Sequence, residues 1–124
     1  MGFLSKTYDR YRTGTPRLET LSNFYTDMTP FTQVQEIINR HIHDIYPQFP
    51  EITTCTVTPV GHMVVCSFFD FEVKLAFKEP RFCTTCNILD FIIKELEHHM
   101  RFSMFAYDLY HRLKHTVETL NNMM

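Results

Sequence analysis

The stretch Ile52–Lys78, ITTCTVTPVGHMVVCSFFDFEVKLAFK, decides the fold. It is rich in β-branched and aromatic residues and alternates in polarity, the pattern of a strand with one face on a core. Pro59-Val60-Gly61-His62 interrupts it with turn chemistry. The stretch therefore predicts a small antiparallel sheet, a hairpin over about 52–78, with a first strand Ile52–Thr58 and a long second strand Met63–Lys78. In the second strand Met63, Val65, Phe69, Phe71, Val73, Leu75 and Phe77 share the core face, while Asp70, Glu72, Lys74 and Lys78 share the solvent face. Val64, Cys66 and Phe68 add apolar groups to that second face, so this end is either covered or presents an apolar patch; Val64 and Phe68 are candidate interaction residues.

The flanks are helical. Phe31, Val34, Ile37, Ile38, His41, Ile42 and Ile45 recur at intervals of three and four, predicting a helix over about 30–46. Thr29 is its expected cap, Pro30 fits its first turn, and Pro47 and Pro50 forbid its continuation. Beyond Glu79-Pro80, Asn87 with Asp90 suggests a capping arrangement for a helix over about 88–100 through Ile88, Ile92, Leu96 and Met100. The period continues in Phe102, Phe105, Ala106, Leu109, Leu113, Val117 and Leu120, but its phase slips at Arg101–Ser103. The expectation is a separate helix over about 103–121. The order helix, hairpin, helix, helix is that of an α+β domain, its amphipathic helices covering one face of the sheet.

The chain has 124 residues, 44% hydrophobic and 21% charged, so one domain with one core is expected, here residues 29–124. The net charge of −2 lacks the footprint of a dedicated nucleic-acid binder, and no apolar run approaches the ~20 residues of a spanning helix. Without a signal-peptide pattern, the four cysteines are expected to be reduced in an intracellular, soluble protein of the cytoplasm or nucleus. Residues 1–28 read as a flexible basic arm. Its Lys6, Arg10, Arg12 and Arg17, interleaved with Tyr8 and Tyr11, suit contact with an acidic membrane surface or, as an open alternative, with nucleic acid.

Catalytic signatures are missing. With glycine only at positions 2, 14 and 61 there is no phosphate-cradling loop, and neither Ser67 nor Ser103 sits in a nucleophile elbow, so no enzyme and no small-molecule substrate are expected. Asp108, His111 and His115 lie on one side of the last helix and are expected on its solvated face. Met63, Met100, Met104, Met123 and Met124 suit an interaction surface that re-packs. The sharpest motif is Cys83-Thr84-Thr85-Cys86, whose two thiolates can grip one Zn²⁺ from the same side. Glu79–Cys86 resembles the opening half of a two-cysteine, two-histidine zinc finger, and His99 follows at that family's interval, which makes Cys83, Cys86 and His99 the candidate metal ligands. Zinc is the only cofactor the sequence suggests.

The run from Phe69 to Phe82, FDFEVKLAFKEPRF, followed by Ile88, Ile92 and Ile93, resembles the strand, proline and helix succession of rhabdovirus matrix proteins. The resemblance implies a viral structural or accessory role in which chains self-associate, bridge a ribonucleoprotein to the membrane through a basic N-terminal arm, and in some members disturb host gene expression. Two functions are carried forward: a non-enzymatic assembly protein that self-associates or binds a protein or membrane partner, and a zinc-stabilised regulatory domain with nucleic-acid contact.

Overall fold

The computed structural model describes residues 24–48, 54–69 and 71–123. Helix α1 (Thr29–Ile45) leads into three strands, β1 (Thr56–Val60), β2 (Met63–Ser67) and β3 (Glu72–Ala76). After a 3₁₀ turn at Pro80–Phe82 come α2 (Thr85–His99) and α3 (Met104–Asn122). The strands form one antiparallel meander in the order β1-β2-β3. The α+β class and the three helices follow the expectation.

The predicted hairpin is corrected to three strands, because the long second strand breaks at Phe68–Phe71. There the Phe68 N–H donates to the Phe71 carbonyl at 2.8 Å, closing a second turn. The turn changes which residues face the core. In β2 the even positions Val64 and Cys66 are fully buried, and Phe68 continues the buried series; in β3 the odd positions Val73 and Leu75, with Phe77 beyond them, are buried. Met63 and Phe69 are exposed and Val65 and Phe71 only half-buried, against the expectation that they face the core. Each short strand still obeys period-2 alternation.

Helix starts differ in detail. Asp27, not Thr29, accepts at the head of α1, from the Thr29 N–H at 3.0 Å, and this bond holds its carboxyl below the usual carboxylate range. At α2 the cap is Thr84, whose Oγ1 accepts from the Asn87 N–H at 3.2 Å; Asn87 itself lies inside the helix and donates from Nδ2 to the Phe82 carbonyl. Thr and Asn are both good caps, and the extended backbone of Thr84 decides between them. Ser103 caps α3 and confirms the break after α2.

One core joins all elements: Phe31, Val34, Ile38 and Ile42 of α1, the inner face of the sheet, Ile88, Leu89, Ile92 and Leu96 of α2, and Leu109, Leu113 and Val117 of α3. Fully burying an aliphatic side chain contributes about 1.5–3 kcal/mol each, which is what holds helices this short in place. Packing begins before residue 29. Tyr25 is 2% exposed, its hydroxyl donates to the His62 carbonyl, and Phe24 stacks on the His62 ring at 3.9 Å. The domain therefore includes residues 24–28, which the expected arm had claimed.

Candidate interaction surface

Several elements end at the same place. Tyr46 follows α1, Phe68 and Phe71 flank the β2–β3 turn, His99 ends α2, and Phe105 stands in the first turn of α3. Phe68 and Phe71 stack at 4.8 Å with rings 18° apart, and His99 stacks on the other partner of the cluster, Phe71, at 4.3 Å. The Phe105 ring lies 5.7 Å from Tyr46, 6.2 Å from Phe68 and 6.4 Å from Phe71. These offset and edge-on contacts, favoured by the ring quadrupoles, make a stiff aromatic platform. Around it stand three large apolar side chains with little cover: Phe69 at 65% exposure, Met104 at 70% and Phe102 at 90%.

Local chemistry explains their exposure. Phe69 occupies the two-residue turn between β2 and β3, where neither sheet face is available to it. Phe102 lies between the end of α2 and the Ser103 cap of α3, so it belongs to the apolar stripe of neither helix. Single exposed apolar residues are ordinary, but several grouped on one end mark an interaction site. Met104 is among the methionines expected at an adaptable surface; Phe69, expected on the core face of the strand, and Phe102, expected in the apolar period of the last helix, are corrected to the surface. Their signal was available: Phe69 sits at the centre of Phe68-Phe69-Asp70-Phe71, and Phe102 at the slip in helical phase.

The residues expected to interact lie elsewhere. Val64 is fully buried and Phe68 is 8% exposed, so the proposed patch is corrected to core: the helices cover it, because β2 turns its even positions inward. Lys6, Arg10, Arg12 and Arg17 lie outside the described residues, as does Met124. His111 and His115 are exposed as expected, Asp108 is half-buried, and Arg112 pairs with Asp44 at 3.7 Å across to α1.

The expected zinc ligands do not converge. Cys86 lies in the first turn of α2 and His99 in its last, thirteen residues on, which on a helix of 1.5 Å rise separates them by about 20 Å. His99 is stacked on Phe71 instead. Among the described residues no group of three or more histidine, cysteine, aspartate or glutamate side chains could hold a metal. All four cysteines are free. Burial pushes the Cys83 thiol up to about 11 and the Cys66 thiol up to about 12, Cys66 aided by Cys83, and raises Cys55 further still, aided by Cys66. These three are protonated thiols packed as small apolar groups.

Grooves among the described residues add to this surface; one of about 510 Å³ lies between α1 and α3 at Asp44, Asp108 and His111, and two more lie elsewhere. One of about 550 Å³ runs between the starts of α1 and α2, past Tyr25, Asp27, Pro30, Arg81 and Thr84. Arg81, the cation among its described lining residues, is already engaged: it pairs with Glu79 at 2.7 Å and lies over the Phe82 ring. The other, about 510 Å³ and mostly apolar, lies between the three helices and is lined by Ile37, Cys86, Leu120 and Met123. No helix among the described residues is long and apolar enough to cross a membrane. No family model matches the chain, and neither a curated protein nor a solved structure shows significant similarity to it.

Proposed function

We propose that this chain is a non-catalytic assembly protein that self-associates and docks a protein or membrane partner, in the manner of a viral matrix-like or accessory protein. The exposed apolar group Phe69, Phe102 and Met104 on a rigid aromatic end carries this reading. Phenylalanine and methionine are enriched in the buried centres of interfaces, and a stiff platform lowers the ordering cost of binding. The β2–β3 turn that bears Phe69 belongs to the segment on which the matrix-protein resemblance rests, so the two observations support the same role.

Sedimentation velocity over a wide concentration series, paired with flotation on anionic vesicles, tests the proposal. The expected result is concentration-dependent association or vesicle binding that the double substitution Phe102→Ser/Met104→Ser weakens without changing the circular dichroism spectrum. A chain that remains monomeric at millimolar concentration and fails to float overturns it.

A further inference from the structure

The two edges of the sheet are finished differently. Antiparallel pairing makes successive residues point their main-chain groups alternately toward and away from the neighbouring strand. In β1 the pairing Val60↔Met63 across the Gly61-His62 turn directs the main chain of Thr56, Thr58 and Val60 at β2, so Cys55, Val57 and Pro59 face outward. Helix α1 closes that side. Asn39 accepts from the Cys55 N–H at 2.6 Å and donates to the Cys55 carbonyl at 3.0 Å, Gln35 accepts from the Val57 N–H at 2.9 Å, and Pro59 has no N–H to offer. A proline and a covering helix are the usual means of blunting a sheet edge.

At β3 nothing comparable occurs among the described residues. The Phe68–Phe71 bond sets Phe71, Val73 and Leu75 toward β2, leaving the main chain of Glu72, Lys74 and Ala76 directed outward. All three residues are exposed, and no described residue hydrogen-bonds their outward N–H or C=O groups.

Resting on the self-association proposed above, we infer that a second copy of the chain adds here, β3 against β3, to make one continuous antiparallel sheet across a two-fold axis. Charge selects the register. Outward residues must face outward residues, so the near registers within β3 set Glu72 against Glu72, Lys74 against Lys74, Glu72 against Lys74, or Lys74 against Ala76, the last with no opposite-charge pair inside the strand. The first two oppose like charges, whereas the third, centred on Val73, forms the Glu72–Lys74 pair twice, each pair exchanging N–H···O bonds in both directions. The same register brings the turn before β3 of one copy, with its exposed Phe69, toward the end of β3 of the other, beside the exposed Phe91 whose ring meets Phe77 at 5.4 Å. Isologous contact of this kind is the commonest route to a homodimer.

The test is a charge-reversal cycle on the full chain, read by sedimentation equilibrium. Lys74→Glu and Glu72→Lys are each expected to weaken the dimer by about tenfold, since both pairs turn from attraction to repulsion. The combined Glu72→Lys/Lys74→Glu variant restores it. In parallel, the amide protons of Glu72 and Lys74 are expected to exchange more slowly as protein concentration rises. A dimer indifferent to the single reversals overturns the β3 pairing while self-association stands; a chain monomeric throughout overturns both. Amide protection that is independent of concentration means that the edge is covered within one chain, and likewise overturns the inference.

Discussion

Asn39 is expected to be one of the most sensitive polar positions in the domain. Its amide does for β1 what a neighbouring strand would do, accepting from and donating to the main chain of Cys55, which is itself buried. Asn39→Ala removes both bonds and leaves two main-chain groups without partners. A bond of this kind contributes about 1 kcal/mol net, but a buried group left unpaired costs about 1–3 kcal/mol, so the substitution should destabilise by roughly 2–4 kcal/mol. That is a large part of a total near 5–15 kcal/mol, and it should lower the melting temperature by on the order of 10–20 °C. Asn39→Asp sharpens the argument because only the donor is changed. At neutral pH its carboxylate still accepts from the Cys55 N–H but faces the Cys55 carbonyl oxygen, which raises its folded-state pKa above the ordinary ~3.9. The sign follows: the bond to the carbonyl is present below the unfolded value, where the carboxyl keeps its proton and donates, and is lost as pH rises through the folded value. Urea unfolding followed by circular dichroism, from pH 4 to pH 8, measures both effects. A cost under about 0.5 kcal/mol for Asn39→Ala would show that water replaces the amide and that α1 does not close the β1 edge.

His41 predicts an opposite dependence in the parent protein. Its Nε2 meets Thr116 Oγ1 at 2.8 Å; that hydroxyl donates to the Arg112 carbonyl at 3.0 Å, so His41 donates from Nε2, while its buried Nδ1 has no partner among the described residues. Burial, then Arg112, then Arg40 lower its pKa below 6.5, with Asp44 opposing. Stability present above pH 6.5 is thus lost as pH falls through the depressed value, and His41→Gln should flatten the fall between pH 7 and pH 5 in thermal melts. The thiols should be ordered by exposure: Cys86 reacts first with a disulfide reagent, and Cys55 and Cys66 only on unfolding. Added zinc should leave the Cys86 rate unchanged, and protection by zinc would restore the metal-site reading.

Much of the architecture is legible in local pattern. Apolar residues at intervals of three and four mark α1, the prolines at 30 and 47 bound it, and the slip at Arg101–Ser103 separates α2 from α3. Each signal acts within a turn or two of helix, so no distant partner is needed to interpret it. The sheet was less legible for a definite reason. From Met63 to Phe77 apolar residues occupy both phases of the strand alternation, odd and even, and a chain with two apolar faces does not declare which is inward. The choice is made where the Phe68–Phe71 turn places even positions of β2 and odd positions of β3 against the same helices. That choice buried Val64 and Phe68 and left Phe69 in water. The separation of Cys86 from His99 depends likewise on one uninterrupted helix lying between them, since a spacing suited to a zinc finger brings its ligands together only if the intervening chain folds back. Spacing along the chain is a local property that the sequence determines; which faces meet, and which residues the meeting leaves exposed, depends on contacts between elements far apart in the chain, and those only the tertiary structure decides.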